Sequence, residues 1–144
     1  MKSTVRLREG MAFDAEVGGH SLVIDARAQH GGQDLGPPPK ELLLTGLAGC
    51  AAMDTISILR KMRAAPDTLE VSASTETTET HPKVFTEMVV RVEVTGEVPP
   101  KKLWKAVALS RDRYCGVAAM LRAHAPVRYI VVLNGQEISE SAGA

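Results

Sequence analysis

Aromatic residues are scarce in this 144-residue chain, at 3%, and that scarcity removes the stacking platforms that hold single-stranded nucleic acid. An excess of either charge is also missing. Seventeen basic residues balance seventeen acidic ones, so no basic field draws in nucleic acid or anionic lipid. Neither nucleic acid nor a membrane surface is expected as a partner. The N-terminal MKSTVRLREG alternates charged and apolar residues and lacks the apolar run of a signal peptide. The long apolar stretch of residues 42–59 is interrupted by Thr45, Asp54 and glycines, which argues against a transmembrane span. Only two cysteines are present, and with no export signal the expected compartment is the reducing cytoplasm, where a permanent disulfide staple is not expected.

Several site signatures are absent too. The cysteines form no C-x-x-C, and His20, His30, His81 and His124 form no H-x-x-x-H. No metal or cofactor is therefore expected. The glycine-rich HGGQDLGPPP lacks the G-K-[ST] of a phosphate loop, and its prolines remove backbone donors. No G-x-S-x-G elbow marks a serine hydrolase. A thiol is the one strong nucleophile that remains.

What is present reads as strands, a helix, a hairpin, further helices and a closing strand. Val5 and Leu7, then Met11 to Val17, then Leu22 and Ile24 alternate with polar residues, separated by Glu9-Gly10 and Gly18-Gly19, the pattern of an antiparallel meander. Residues 29–39 form a loop whose last proline suits a first helical turn. Residues 40–62 then read as one long helix. It is apolar almost all round, with Asp54 the only charge between Leu42 and Leu59, so burial on most faces is expected. Residues 69–78 alternate as a half-exposed strand, THPK turns the chain, and residues 84–96 form the return strand. Pro99-Pro100 opens a helix to Ser110, Asp112 is placed to cap a further amphipathic helix carrying Cys115, and VRYIVVLN is the last strand. The tail ESAGA reads as loose. This order predicts a single α+β domain over residues 1–144, an antiparallel sheet wrapped around a long buried central helix. One small domain has difficulty covering so apolar a helix, so a homodimer pairing two of them is expected.

Cysteine in an apolar helix is most often a small core residue, inert because burial raises its pKa. Taken alone, Cys50 and Cys115 are open to that reading. Asp54 lies one helical turn after Cys50. It is either a buried polar residue bonded across an interface or part of a site, and in a site its charge disfavours a thiolate unless a cation neutralises it.

GPPPKELLLTGLAGCAAMDTISILRK resembles the central helix of the OsmC/Ohr superfamily, the osmotically inducible and organic hydroperoxide resistance proteins. RYCGVAAML resembles the segment around that family's second cysteine. HPKVFTEMVVRVEVTG and APVRYIVVLN match its hairpin strand and its final strand. The resemblance covers nearly the whole chain in order and is closest to the YhfA-like branch. It implies an intertwined homodimer with thiol sites at the subunit boundary. It also implies a thiol peroxidase acting on organic hydroperoxides, with Cys50 peroxidatic, Cys115 resolving, and a dithiol reductant restoring both. In the peroxidases an early-strand arginine and a glutamate at the start of the helix organise the thiolate. Lys40 occupies that glutamate position here and Glu41 follows it, turned by about 100°. His20 stands where the arginine is sought, with Arg6, Arg8 and Arg27 as substitutes. The alternatives on the same fold are a binding protein for a small hydrophobic ligand and a thiol redox sensor.

Overall fold

The computed structural model describes residues 1–140, so four residues of the ESAGA tail lie outside the described residues. The chain divides into two compact units, Met1–Leu43 and the chain from Leu44 onward.

In the first unit, β1 (Ser3–Glu9), β2 (Ala12–Val17) and β3 (His20–Ile24) form an antiparallel sheet in the order β1-β2-β3. The meander read from alternation is therefore present. Gly18 and Gly19 make the β2–β3 turn with φ of 57° and 82°, the doubly positive backbone that a two-residue hairpin requires. Cross-strand pairs Arg6–Glu16 at 2.9 Å and Arg8–Asp14 at 3.7 Å engage two of the candidate arginines on the sheet surface. Asp25, 2% exposed, organises the loop that follows. Its carboxylate accepts from the backbone N–H groups of Ala26, Gln33 and Leu35 at 2.7, 2.9 and 3.2 Å, and these bonds hold its pKa below the usual carboxylate range. The loop closes so tightly that a Cβ on Gly32 would overlap the Ala26 carbonyl, and one on Gly36 the Val23 carbonyl. The glycines of HGGQDLG thus serve close backbone approach.

Helix α1 (Pro39–Lys61) starts on the proline and ends with Arg60 and Lys61 in its last turn, where cations complement the helix dipole. It runs out of the first unit into the second. Leu47, Ala51, Thr55 and Leu59 are its buried residues, one stripe at four-residue spacing. Burial on most faces is not what this chain achieves alone. A single stripe meets the sheet, while Met53 is 74% exposed.

The second unit contains β4 (Thr68–Thr77), β5 (Phe85–Thr95), β6 (Val127–Leu133) and the short β7 (Gln136–Glu137), in the order β4-β5-β6-β7. Met88, Val90, Val92 and Val94 alternate inward from β5, each at most 1% exposed, and pack with Leu47, Ala51 and Leu59 of α1. The expectation of an antiparallel sheet requires correction here. β5 and β6 pair in parallel, Met88 opposite Val127 through Val94 opposite Leu133. The cause is the crossover between them, formed by α2 (Pro100–Leu109) and α3 (Gly116–Arg122). Such a connection returns the chain to the same end of the sheet.

Candidate functional site

The site arises where α1 meets the junction of α2 and α3. After Leu109 the helix widens into one π-type turn, Ser110–Tyr114, closed by the Cys115 N–H donating to the Ser110 carbonyl at 2.9 Å. Single π turns of this kind recur at functional sites. Cys115 then leaves helical geometry, with φ −71° and ψ 95°, and becomes the N-cap of α3. Its Sγ accepts from the Ala118 N–H at 3.3 Å. Both the expectation that Asp112 caps this helix and the placement of Cys115 within it are corrected. Asp112 pairs with Arg111 at 2.8 Å instead, and the π turn moves the cap three residues on.

This arrangement brings Cys115 to the face of α1 that carries Cys50 and Asp54. The two sulfurs and a carboxylate oxygen all lie within 4.8 Å of one another. Ser110, fully buried, donates from Oγ to Oδ2 of Asp54 at 3.0 Å. Asp54 is therefore a member of the thiol cluster, fixed by the same π turn that delivers Cys115. Both cysteines are free thiols, Cys50 half-buried and Cys115 buried. Burial above all, and then the adjacent Cys50, push the Cys115 thiol up to about 11, with Asp54 adding a smaller push in the same direction. The Ala118 N–H pulls the other way.

Reduced protein should therefore show slow alkylation at Cys115. A rise from 9 to about 11 leaves about a hundredfold less thiolate at neutral pH. Its iodoacetamide rate, followed by peptide mass spectrometry, should climb about tenfold per pH unit from pH 7 to 10. A plateau by pH 9 would contradict the burial argument.

Sequence reasoning missed two neighbours of the cluster. Ser110 appeared only as the end of a helix. Tyr129 on β6 has a buried hydroxyl with no partner among the described residues. Burial lifts its pKa to about 12, with smaller contributions from the charges of Cys115 and Cys50, so the phenol remains an O–H donor at neutral pH. Strand alternation carried a usable signal, because Tyr129 lies on the same face as Val131 and Leu133, both buried.

The supporting residues are placed differently. Lys40 and Glu41 occupy the first turn of α1. Glu41 accepts from Arg27 at 2.6 Å, and Arg27 also approaches Asp34 at 3.4 Å. Glu41 precedes Cys50 by nine residues. His20 is an exposed residue at the β2–β3 turn of the first unit, in a groove with Lys2, Thr4 and Arg6.

Comparison with known proteins agrees with this architecture. The family model described as OsmC-like protein matches residues 31–130. Protein YhfA of Escherichia coli strain K12 is 35% identical over 123 residues, covering 84% of this chain and 89% of that protein. A hypothetical protein from Aquifex aeolicus superposes with a TM-score of 0.79 at 24% identity, covering 92% of this chain and 96% of that one. An organic hydroperoxide resistance protein from Elizabethkingia anophelis shares the fold with a TM-score of 0.70 at 14% identity, covering 92% and 94%. With the family model and the curated relative both spanning the helix of Cys50 and the segment of Cys115, the chain belongs to the OsmC/Ohr superfamily, in its YhfA-like branch.

Proposed function

We propose that this protein is a cytoplasmic thiol-dependent peroxidase that reduces organic hydroperoxides, with Cys50 as the attacking thiol and Cys115 as the resolving one. The observation that carries this reading is the approach of the two free sulfurs to within 4.8 Å. The asymmetry between them supports these roles. Cys50 is the more accessible, while Cys115 is buried and held protonated by its surroundings. An organic hydroperoxide resistance protein with the same fold supports the choice of substrate class.

The chemistry balances on these residues. The Cys50 thiolate attacks the distal peroxide oxygen, the O–O bond breaks, and Cys50 becomes a sulfenic acid while the alkoxide takes a proton and leaves as the alcohol. Cys115 then attacks the Cys50 sulfur, losing its own proton as hydroxide departs, so a disulfide and water form. A disulfide needs about 2.05 Å between sulfurs, and a χ1 change moves a sulfur by about 3 Å. The separation is therefore within reach of one rotamer step. A dithiol reductant returns both thiols by exchange. Steady hydroperoxide consumption with dihydrolipoamide, absent in a Cys50→Ser variant, tests the assignment. Stoichiometric oxidation without turnover would favour a redox sensor.

The apolar, uncovered side of α1 supports a homodimer in which two such helices pack together. A charge placed there should oppose association. We expect sedimentation to give a dimer at micromolar concentration and Met53→Glu to raise its dissociation constant at least tenfold. A wild-type monomer would refute the pairing.

A further inference from the structure

We propose that the reduced cluster of Cys50, Asp54 and Cys115 is also a binding site for a thiophilic divalent cation of the zinc class, and that metal occupancy and the disulfide are alternative states of the same two sulfurs. The inference rests on the cluster's donor set and not on the peroxidase reading.

Asp54 is the residue that distinguishes this site from a redox pair alone. A carboxylate beside two thiols disfavours their ionisation. A cation reverses that relation and makes all three groups ligands. Two sulfurs and one carboxylate oxygen match zinc rather than magnesium or calcium, which take oxygen donors. Tetrahedral coordination at about 2.3 Å for sulfur places two thiolates about 3.8 Å apart. The observed spread of at most 4.8 Å contracts to that by small side-chain rotations.

Two ligands are already oriented by groups behind them. The Ser110 hydroxyl holds one carboxylate oxygen of Asp54 at 3.0 Å, and the Ala118 N–H holds the Cys115 sulfur at 3.3 Å. Outer contacts of this kind tune metal ligands. Cys50 and Asp54, four residues apart on α1, share one helical face. Three protein ligands leave the fourth tetrahedral position to water. Binding releases the two thiol protons. A sulfur bonded to zinc cannot at the same time be in a disulfide, so oxidation of the pair expels the ion.

Cobalt(II) is the probe for this site. Freshly reduced wild type should take up one equivalent, giving a near-ultraviolet thiolate-to-cobalt charge-transfer band and the visible bands of tetrahedral cobalt. One equivalent of zinc should bleach both. Cys50→Ser and Cys115→Ser should weaken the charge-transfer band and loosen binding, and Asp54→Ala should bind at least tenfold more weakly. Wild type oxidised with diamide should show no band, a comparison that needs no variant to fold. Absence of the band in reduced wild type, its persistence after oxidation, or wild-type affinity in Asp54→Ala would overturn the proposal. No hydroperoxide enters these measurements, so loss of the peroxidase reading and loss of the metal site are separate results.

Discussion

Replacing Cys50 by serine should lower organic hydroperoxide consumption by on the order of a thousandfold or more. A cysteine carries some thiolate near neutral pH and is intrinsically a strong nucleophile, whereas an unactivated serine hydroxyl is neither ionised nor soft. Of the described His, Cys, Asp and Glu side chains, Asp54 and Cys115 cluster with Cys50 within 4.8 Å, and Asp54 already accepts from Ser110. The exchange of sulfur for oxygen is nearly isosteric at a half-buried position, so the variant should keep its fold, which circular dichroism can verify. Treatment with one equivalent of hydroperoxide should convert wild type to a species two mass units lighter, the disulfide, and leave Cys50→Ser unchanged. Equal consumption by the two proteins would remove Cys50 from the mechanism. A Cys115→Ser protein offers the complementary view, since its Cys50 should gain one oxygen and stop there.

Trp104→Ala should have the largest effect on stability, a loss of about 3–5 kcal/mol. Trp104 is 6% exposed in the core formed by α2 and the second sheet. Its indole N–H donates to the Ile138 carbonyl at 2.9 Å. Truncation leaves a cavity and also orphans that carbonyl. For a chain of this size the loss corresponds to a fall in Tm on the order of 10–15 °C. Trp104→Phe separates the causes, because it keeps most of the apolar contact and forfeits the hydrogen bond, for a loss of about 1–2 kcal/mol. Urea denaturation measures both, and an alanine variant within 1 kcal/mol of wild type would mean the site collapses around the gap. Trp104 lies on the helix that leads into the π turn, so the alanine variant should also loosen Cys115 and speed its alkylation.

Local patterning carried much of the fold. Alternation with glycine turns located β1 to β3, a proline located the start of α1, and alternation located β4. What escaped was non-local or below the grain of composition. Nothing in residues 85–95 or 127–133 distinguishes parallel from antiparallel pairing, because the crossover between them decides. The π turn at Ser110–Tyr114 inserts one residue into a helix, and no residue type announces it. Its consequence was a mistaken cap at Asp112 and a cysteine placed within a helix that it in fact begins. The burial expected for α1 came from its composition, which registers apolar surface but not whether this chain or a second copy covers it.

The candidate site was legible in part. Cys50 and Asp54 were recognisable as neighbours because a helix places residues four apart on one face. The approach of Cys115 was expected only through the family resemblance, since from the residues alone it depends on how a distant crossover packs. Arg27 was one of three arginines with equal claims, and only its 2.6 Å contact with Glu41 separates it from Arg6 and Arg8, which face carboxylates on β2.

The parallel pairing of β5 and β6 also bears on how the chain acquires its chemistry in time. The β4–β5 hairpin closes a short loop, whereas β6 can dock only after the whole α2–α3 crossover has been drawn in, a later and slower event because loop closure must precede the contacts that reward it. Mutations in β4 and β5 should therefore slow folding, and mutations in β6 should chiefly speed unfolding, a contrast that stopped-flow kinetics reads directly. Cys115 lies inside that late segment. A chain still emerging from synthesis thus carries Cys50 without Cys115 beside it, and the two sulfurs come within 4.8 Å of each other only when folding is essentially complete.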